Sequence, residues 1–226
     1  MEEALGDAER IEEACCGIQF GKDEFKPFEE KLRILNKALT KGKIEVLQVN
    51  LGYRCNENCL HCHLNAGPDG TIMQEEVMEA IVEVAKRNPG LVVDITGGAP
   101  ELNPFVSNFL EDISPFSKEI FFRTNLTALE KRWDLIGLFK TIGVKLIASF
   151  PHIREEKVDF FRGKGFFKRA LRVLKDLTAE GFGWKYPLYL MVNPTELALV
   201  KSKGSLKETF RDFLITYLWE DLKSIS

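Results

Sequence analysis

From residue 44 onward, the chain alternates short apolar runs with longer amphipathic stretches. Each short run is rich in Val, Ile, Leu or Phe and ends in a polar loop, as is typical of a buried parallel strand. The strands predicted in this way are Glu45–Asn50, Leu91–Thr96, Glu119–Thr124, Val144–Phe150 and Tyr186–Asn193. The alternation predicts an α/β fold with repeated βα units around a parallel sheet.

The stretches between these runs place apolar residues at three- and four-residue spacing, as amphipathic helices do. The predicted helices are Gln74–Lys86, Pro104–Asp112, Ala128–Thr141 and Phe166–Glu180. Parallel strands with right-handed crossovers form either an open doubly wound sheet or a (β/α) barrel, and the pattern does not distinguish them. Both folds place ligands at the carboxyl ends of the strands, so the candidate chemistry is sought there.

The two ends of the chain depart from the βα pattern. Residues 1–43 form an acidic lead-in with a short apolar face that predicts a capping helix. This face consists of Phe25, Phe28, Leu32 and Leu35. Near the other end only one amphipathic segment is visible, Leu206–Leu222. We therefore expect a lead-in over residues 1–43 and a core of five to six βα units over residues 44–226.

Composition narrows the classes of function. The chain has 226 residues, 45% of them hydrophobic and 29% charged, which is enough apolar surface for a folded core. Its 31 Lys and Arg against 34 Asp and Glu give a net charge of -3, without the basic excess typical of nucleic-acid binding. No uncharged stretch is long enough to cross a bilayer, and the acidic start is unlike a targeting peptide. We expect a cytoplasmic protein with neither a nucleic-acid nor a membrane partner.

Three of the five cysteines lie in the loop after the first predicted strand. Cys55, Cys59 and Cys62 form a C-x3-C-x2-C motif, and thiolates are suitable ligands for an iron–sulfur cluster. Three thiolates leave one iron of a 4Fe–4S cluster open to a substrate or cofactor. A structural zinc would instead recruit His61 or His63 as its fourth ligand. Structural zinc sites usually take ligand pairs from two separated segments, and no second pair follows, so the motif favours the cluster.

This loop resembles that of the radical SAM superfamily, and further motifs resemble one branch of it, the arsenosugar biosynthesis radical SAM proteins. The resemblance spans about residues 25–195. Its motifs are Leu47–Asn56, His61–His63, Ala66–Pro68, Asp94–Asn103, Arg123–Thr127, Ala148–Pro151, Arg162–Gly165 and Val192–Pro194. The resemblance implies a partial (β/α) barrel of the TIM type, a 4Fe–4S cluster bound by the three cysteines, and S-adenosylmethionine as a second cofactor.

The resemblance also implies which residues contact S-adenosylmethionine. They are Gly97, Gly98, Glu101, Asn125, Ser149 and Asn193. The glycine pair and the glutamate would form the element that meets the amino group through backbone carbonyls, because glycine permits a close approach. The polar residues of the third and fourth strands would lie near the ribose and carboxylate, and the last asparagine near the adenine. Ordinary turn roles explain the glycines and Asn125 equally well.

For the reaction, the resemblance implies transfer of a 5′-deoxyadenosyl group to a small-molecule substrate, a trivalent dimethylated arsenical. An electron donor such as flavodoxin or ferredoxin would be required. Arg162 and Lys164 would neutralise an anionic group, or else are ordinary surface charges.

Three departures from the branch keep other readings open. The branch has cysteines where this chain has Thr124 and His152, and it continues into a C-terminal region that the sequence does not match, so we expect a truncation. One alternative is a radical SAM enzyme that modifies a peptide or another small molecule. The other is a truncated chain that binds a cluster or zinc without turnover.

Overall fold

The computed structural model describes residues 27–40, 42–192 and 203–214. The chain divides between Lys43 and Ile44 into two units. The described part of the first unit contains helix α1 (Phe28–Ile34), which has no buried side chain. Helix α1 coincides with the predicted apolar stretch, of which Phe25 lies outside the described residues.

The second unit is built on one sheet of five parallel strands. They are β1 (Val46–Asn50), β2 (Leu91–Thr96), β3 (Ser117–Thr124), β4 (Lys145–Ser149) and β5 (Leu188–Met191). Their order in the sheet is their order along the chain. A doubly wound sheet reverses this order at a switch point, so the sequential order identifies a partial barrel. The predicted α/β partial barrel is confirmed, with five strands among the described residues.

Helices follow the strands along the chain. They are α2 (Glu75–Arg87), α3 (Val106–Ile113), α4 (Leu135–Ile142), α5 (Glu155–Arg162), α6 (Phe166–Ala179) and α7 (Lys203–Leu214). The prediction of one helix over Ala128–Thr141 is wrong in part, because Thr127–Lys131 is a 3-10 turn and α4 begins four residues after it. Helix α5 was not predicted, since Val158 is its only buried residue and its sequence is rich in charge.

The core lies between one face of the sheet and the helices. Alternate strand residues such as Val93, Ile95, Phe122 and Leu146 are fully buried there. Burial of each such side chain contributes about 2 kcal/mol, so this face fixes the strand register. The other face of the sheet is partly exposed and carries polar residues.

The last described helix, α7, covers the first part of the amphipathic segment Leu206–Leu222, and residues 215–226 lie outside the described part of the chain. None of the helices within the described ranges combines the length and apolar character needed to cross a membrane.

Candidate metal and cofactor site

The cysteine loop connects β1 to α2 and is held by backbone hydrogen bonds. Cys55 N donates to Gly67 O at 2.9 Å, and Gly67 N donates to Tyr53 O at 3.1 Å, which closes the loop on itself. Ala99 N donates to Arg54 O at 2.8 Å, which ties the loop to the turn after β2. The cysteines are therefore carried by a fixed backbone frame at the carboxyl end of the sheet.

The three motif thiols are reduced, and two of them accept hydrogen bonds from amide groups. Cys55 is buried, whereas Cys59 and Cys62 are partly exposed. Asn125 Nδ2 lies 3.5 Å from Cys55 Sγ, and Ala66 N donates to Cys62 Sγ at 3.3 Å. Amide N–H groups of this kind stabilise a thiolate, which is the form that binds iron.

Burial disfavours ionisation of two of these thiols, Cys55 and Cys59, in the absence of a cation. It raises the pKa of Cys59 from 9.0 to about 11 and also raises the pKa of Cys55. Arg162 lowers the pKa of Cys59, but less than burial raises it. A coordinating metal reverses this balance, because a thiol that binds a metal is deprotonated outright. The loop is therefore suited to sulfurs bound to a cationic centre.

The zinc alternative requires the ligands to converge on one point. Three thiolates on one zinc lie about 3.8 Å apart, given a Zn–S bond of about 2.3 Å and a tetrahedral angle. Within the described ranges, no group of three His, Cys, Asp or Glu side chains is arranged to hold a single metal ion. Both candidate fourth ligands, His61 and His63, are exposed, and the His61 ring packs edge-on against Phe161 at 5.5 Å. The arrangement gives zinc no support.

The glycine pair after β2 lies where the backbone approaches the cysteine loop most closely. A Cβ added to Gly98 would lie 2.5 Å from Arg54 O, and one added to Gly97 would lie 2.8 Å from Gly52 O. Gly97 also has φ +143°, a conformation that favours glycine. Packing against the loop therefore requires both glycines, and their contact with a cofactor stays a prediction.

Asn125, just after β3, links the cysteine loop to the following turn. Its Nδ2 lies 2.9 Å from Asn56 Oδ1 as well as within reach of Cys55 Sγ. Its Oδ1 accepts a hydrogen bond from Ala128 N at 3.0 Å. Both ends of the amide are engaged, so Asn125 holds the loop around Cys55, and its contact with a ribose stays a prediction.

Glu57 is a buried carboxylate inside the cysteine motif. Its Oε1 accepts hydrogen bonds from Asn56 Nδ2 at 3.0 Å, Thr127 Oγ1 at 2.8 Å and Arg169 Nη2 at 2.8 Å. Arg169 comes from α6, 112 residues further along the chain. The sequence did not predict this pair, because its two members lie far apart along the chain. An acidic residue between two metal ligands was nevertheless a usable signal.

Arg162, the last residue of α5, brings a positive charge to the cysteine loop. It interacts electrostatically with Cys59, Cys55 and Cys62, which raise its pKa, while burial lowers it more. Its Nε is buried and has no hydrogen-bond partner in the described part of the chain, and its guanidinium lies 5.0 Å from the Phe166 ring. A cation whose buried Nε is an unused donor, beside three thiols, fits an anionic group bound at the loop.

A polar row lines the sheet face that the helices do not cover. Ser149 lies on this face in register with Met191 of β5. Further down, the carboxylate of Asp94 accepts hydrogen bonds from Arg123 Nε and Nη2, both at 2.8 Å, and from Gln48 Nε2 at 3.0 Å. The Arg123 hydrogen bond lowers the pKa of Asp94, which keeps this carboxylate ionised. Sequence reasoning missed this cluster, which presents fixed polar groups to any ligand over the sheet.

Glu101 lies in the 3-10 turn that follows the glycine pair, Pro100–Leu102. Its side chain is fully buried, and burial raises its pKa from 4.5 to about 7, against smaller lowering effects of the Thr124 hydroxyl and Arg132. Such a carboxyl exchanges its proton near neutral pH. Neither carboxylate oxygen is exposed. The role of Glu101 as a cofactor ligand stays a prediction.

The other predicted positions are distributed as follows. Asn193 lies outside the described residues, and Lys164 is exposed on the turn after α5. Thr124 and His152, which replace cysteines of the resembled branch, are only 2% and 5% exposed. The Thr124 hydroxyl accepts a hydrogen bond from Leu126 N at 2.8 Å, so it serves the turn after β3.

Comparison with known proteins identifies a family for most of the chain. The model of the Radical SAM superfamily matches residues 49–196, a range that contains the three motif cysteines and the glycine pair. The antilisterial bacteriocin subtilosin biosynthesis protein AlbA of Bacillus subtilis is 31% identical over 136 residues, which cover 58% of this chain and 30% of AlbA. A probable GTP 3′,8-cyclase of Pyrococcus abyssi is 33% identical over 155 residues, which cover 67% of this chain and 50% of the cyclase.

A solved structure shows the same fold. Streptococcus suis SuiB bound to the precursor peptide SuiA matches with a TM-score of 0.60 at 17% identity, over 95% of this chain and 49% of SuiB. The chain therefore spans half or less of the length of each of these proteins.

Proposed function

Because the chain belongs to the radical SAM superfamily, whose members are enzymes that use a 4Fe–4S cluster and S-adenosylmethionine, we propose that Cys55, Cys59 and Cys62 bind such a cluster. The observation that carries this proposal is the cysteine loop itself, in which amide groups contact two of three reduced thiols and the charge of Arg162 acts on all three. Three thiolates leave one iron for the amino and carboxylate groups of S-adenosylmethionine.

The described residues fit both cofactors. When bound, the cluster and S-adenosylmethionine together supply reductive cleavage of the sulfonium, which gives methionine and a 5′-deoxyadenosyl radical. The buried Nε of Arg162 offers a donor for the methionyl carboxylate, and its charge offsets that of the thiolates. Gly97 and Gly98 leave the backbone beside the loop uncovered by a Cβ, so that carbonyl groups can accept from the ammonium.

The remaining polar residues of the site have separable roles in this proposal. Asn125 orients Cys55 through its amide, and Ser149 presents a hydroxyl on the uncovered sheet face toward the ribose and carboxylate. Asn193 follows β5, and we assign it the adenine end. Glu101 follows the glycine pair along the chain as a fully buried carboxyl, and we assign it to the ammonium side of the pocket.

Anaerobic reconstitution tests the cluster and the cleavage together. The chain, loaded with iron and sulfide, is expected to show cluster absorbance and to release 5′-deoxyadenosine from S-adenosylmethionine in the presence of dithionite. Cys59→Ala should lose both signals, whereas the double variant Cys15→Ala, Cys16→Ala, which alters the two cysteines outside the motif, should keep both. Tight zinc binding without cleavage would support the non-catalytic alternative.

For the substrate, we propose a trivalent dimethylated arsenical that accepts the 5′-deoxyadenosyl group. The collinear motifs that resemble the arsenosugar branch support this assignment. The lone pair of a trivalent arsenic atom can accept a carbon radical, which forms an As–C bond without breaking a substrate C–H bond. One electron would then return from arsenic to the oxidised cluster, which leaves arsenic pentavalent. The electron that reduces the cluster before cleavage comes from a one-electron donor such as a flavodoxin or a ferredoxin.

The second candidate is modification of a peptide. It is favoured by the likeness to AlbA, a bacteriocin biosynthesis protein, and to SuiB, whose structure contains a precursor peptide. The arsenosugar branch has cysteines where this chain has Thr124 and His152, and both positions are buried here. Without these thiols, one argument for an arsenical substrate is lost.

Mass spectrometry separates the two candidates. With the trivalent dimethylarsenical present, the first predicts an adenosyl–arsenic adduct and a matching loss of free 5′-deoxyadenosine. Robust cleavage without an adduct would contradict the arsenical and favour the peptide-type enzyme.

A further inference from the structure

Two large apolar side chains are exposed beside the cysteine loop. Leu60, which directly follows Cys59, is 73% exposed, and Phe160 of α5 is 58% exposed. Leu60 N donates to Phe161 O at 2.8 Å, and the rings of Phe160 and Phe161 are 5.0 Å apart, so the two exposed side chains are carried by neighbouring segments of backbone. Clustered apolar side chains that remain exposed mark interaction sites, whereas single ones do not.

The segment that carries Phe160 and Lys164 is basic, although the chain as a whole is acidic. Residues 154–172 contain seven Lys or Arg and three Asp or Glu, against a net charge of -3 for the chain. Two of these three acidic side chains are engaged locally, and Arg169, one of the seven basic residues, is paired with Glu57 outside the segment. Glu155 pairs with Lys168 at 3.0 Å, and Asp159 accepts backbone N–H groups at the start of α6 at 2.6 and 2.9 Å. The side chain of Lys164, on the turn between α5 and α6, is exposed.

This surface is also close to the cysteines. Arg162 lies two residues from both Phe160 and Lys164 and interacts electrostatically with Cys59. The rate of electron transfer through protein falls steeply with distance, so a carrier protein acts best where the surface comes nearest to the cluster.

We propose that the surface formed by Leu60, Phe160 and Lys164, here called the docking patch, binds the acidic carrier protein that delivers one electron to the cluster. This inference rests on the proposed function, because only a chain that holds the cluster needs the electron. Electron-transfer complexes are small and depend on electrostatic steering, and a compact apolar centre beside basic side chains suits an acidic partner.

The test compares two reductants of the reconstituted chain. Cluster absorbance is followed by stopped flow, once with a reduced flavodoxin of acidic surface and once with dithionite. Phe160→Ser and Lys164→Glu are each expected to lower the second-order rate with flavodoxin about tenfold at low ionic strength, and to leave the dithionite rate unchanged. Added salt should slow the flavodoxin reaction of the parent chain more than that of Lys164→Glu.

Matched controls use equally exposed side chains at the amino end of the sheet. Trp184→Ser, at a position that is 71% exposed, and Lys118→Glu, at the start of β3, should keep the parent rate with both reductants. Iron content and the cluster midpoint potential are measured in every variant, so that an altered cluster is not mistaken for altered docking.

Three results would overturn the docking patch. The first is a parent-like flavodoxin rate in both patch variants, and the second is an equal loss in the control variants. The third is a parent chain that dimerises through the patch and becomes monomeric in Phe160→Ser. Failure of the proposed function is recognised separately and without flavodoxin. In that case the chain takes up no iron, or dithionite does not reduce its cluster.

Discussion

The ion pair between Glu57 and Arg169 is predicted to hold the cysteine loop against α6. Glu57 is 8% exposed, and a single oxygen of its carboxylate receives three hydrogen bonds. Replacement of Glu57 by alanine removes all three at once, whereas glutamine keeps an acceptor and removes only the charge. The two variants therefore separate the charge of the pair from its hydrogen bonds.

The loss of stability in each variant depends on which alternative partners the three donors have once the carboxylate is gone. The Thr127 hydroxyl has a second acceptor, Asn125 Oδ1 at 3.2 Å, and Asn56 Nδ2 also contacts Thr127 Oγ1 at 2.8 Å. The Arg169 side chain is 37% exposed, so water can solvate part of its charge. We therefore expect Glu57→Ala to lower the free energy of unfolding by about 2–3 kcal/mol and Glu57→Gln by about 1 kcal/mol.

A double-mutant cycle in urea unfolding measures the pair directly. In the chain without its cluster, Glu57→Gln combined with Arg169→Gln should show a coupling energy of about 1 kcal/mol. The exposed pair of Glu83 and Lys86 on α2, 2.6 Å apart, is the control, and its coupling should be smaller. Independent effects at Glu57 and Arg169, with a coupling below about 0.3 kcal/mol, would refute the role assigned to the pair.

Three further predictions concern the turns around the loop. Gly98→Ala forces a Cβ to within 2.5 Å of the loop backbone, so it should cost about 1–3 kcal/mol in urea unfolding and reduce iron uptake. Its control is Gly137→Ala on α4, where a Cβ meets nothing within 4 Å and should stabilise the helix by about 1 kcal/mol. Burial raises the pKa of Glu101 from 4.5 to about 7, so the folded chain holds this proton more tightly than the unfolded chain does. The resulting stability is complete below pH 4.5 and lost as the pH rises to 7, so Glu101→Gln should match the parent at low pH and exceed it by up to about 3 kcal/mol at pH 8. If Glu101→Gln and the parent chain had the same urea midpoint at pH 8 as well as at low pH, this reasoning would be contradicted. Asn125→Ala leaves a backbone N–H unpaired and removes the donor to Cys55, so it should cost about 2 kcal/mol and lower the cluster midpoint potential in a redox titration monitored by EPR.

The strands could be predicted from sequence because each is a short apolar run that ends in a polar loop. Strand β2 has the predicted bounds, and β1 differs by one residue. Strand order could not be predicted, because local periodicity is the same in a doubly wound sheet and in a partial barrel. Helix α5 also escaped prediction, because a helix that buries only Val158 has almost no apolar stripe to detect.

The residues of the candidate site likewise divide into those that the sequence predicts and those that only the structure shows. The three cysteines lie within eight residues of one another, and their spacing predicts cluster ligation, whereas the role of the glycine pair was implied by the family resemblance. Arg162, Arg169 and Asp94 reach the site from separate elements, so only the folded chain shows what they contact. The resemblance implied that Asn125 contacts the cofactor, and the structure shows its amide engaged with the cysteine loop and the following turn.

One electrostatic requirement explains why the basic segment lies where it does. Three thiolates brought together in a partly buried loop repel one another, and burial alone already raises the pKa of Cys59. A cation near the loop offsets this cost even before iron binds, and α5 supplies it through Arg162. The same helix end contacts the loop through the bond between Leu60 N and Phe161 O, so the charge and the contact are fixed together. Any change that shifts α5 should therefore weaken cluster binding and carrier docking in parallel, whereas Lys164→Glu should affect docking alone.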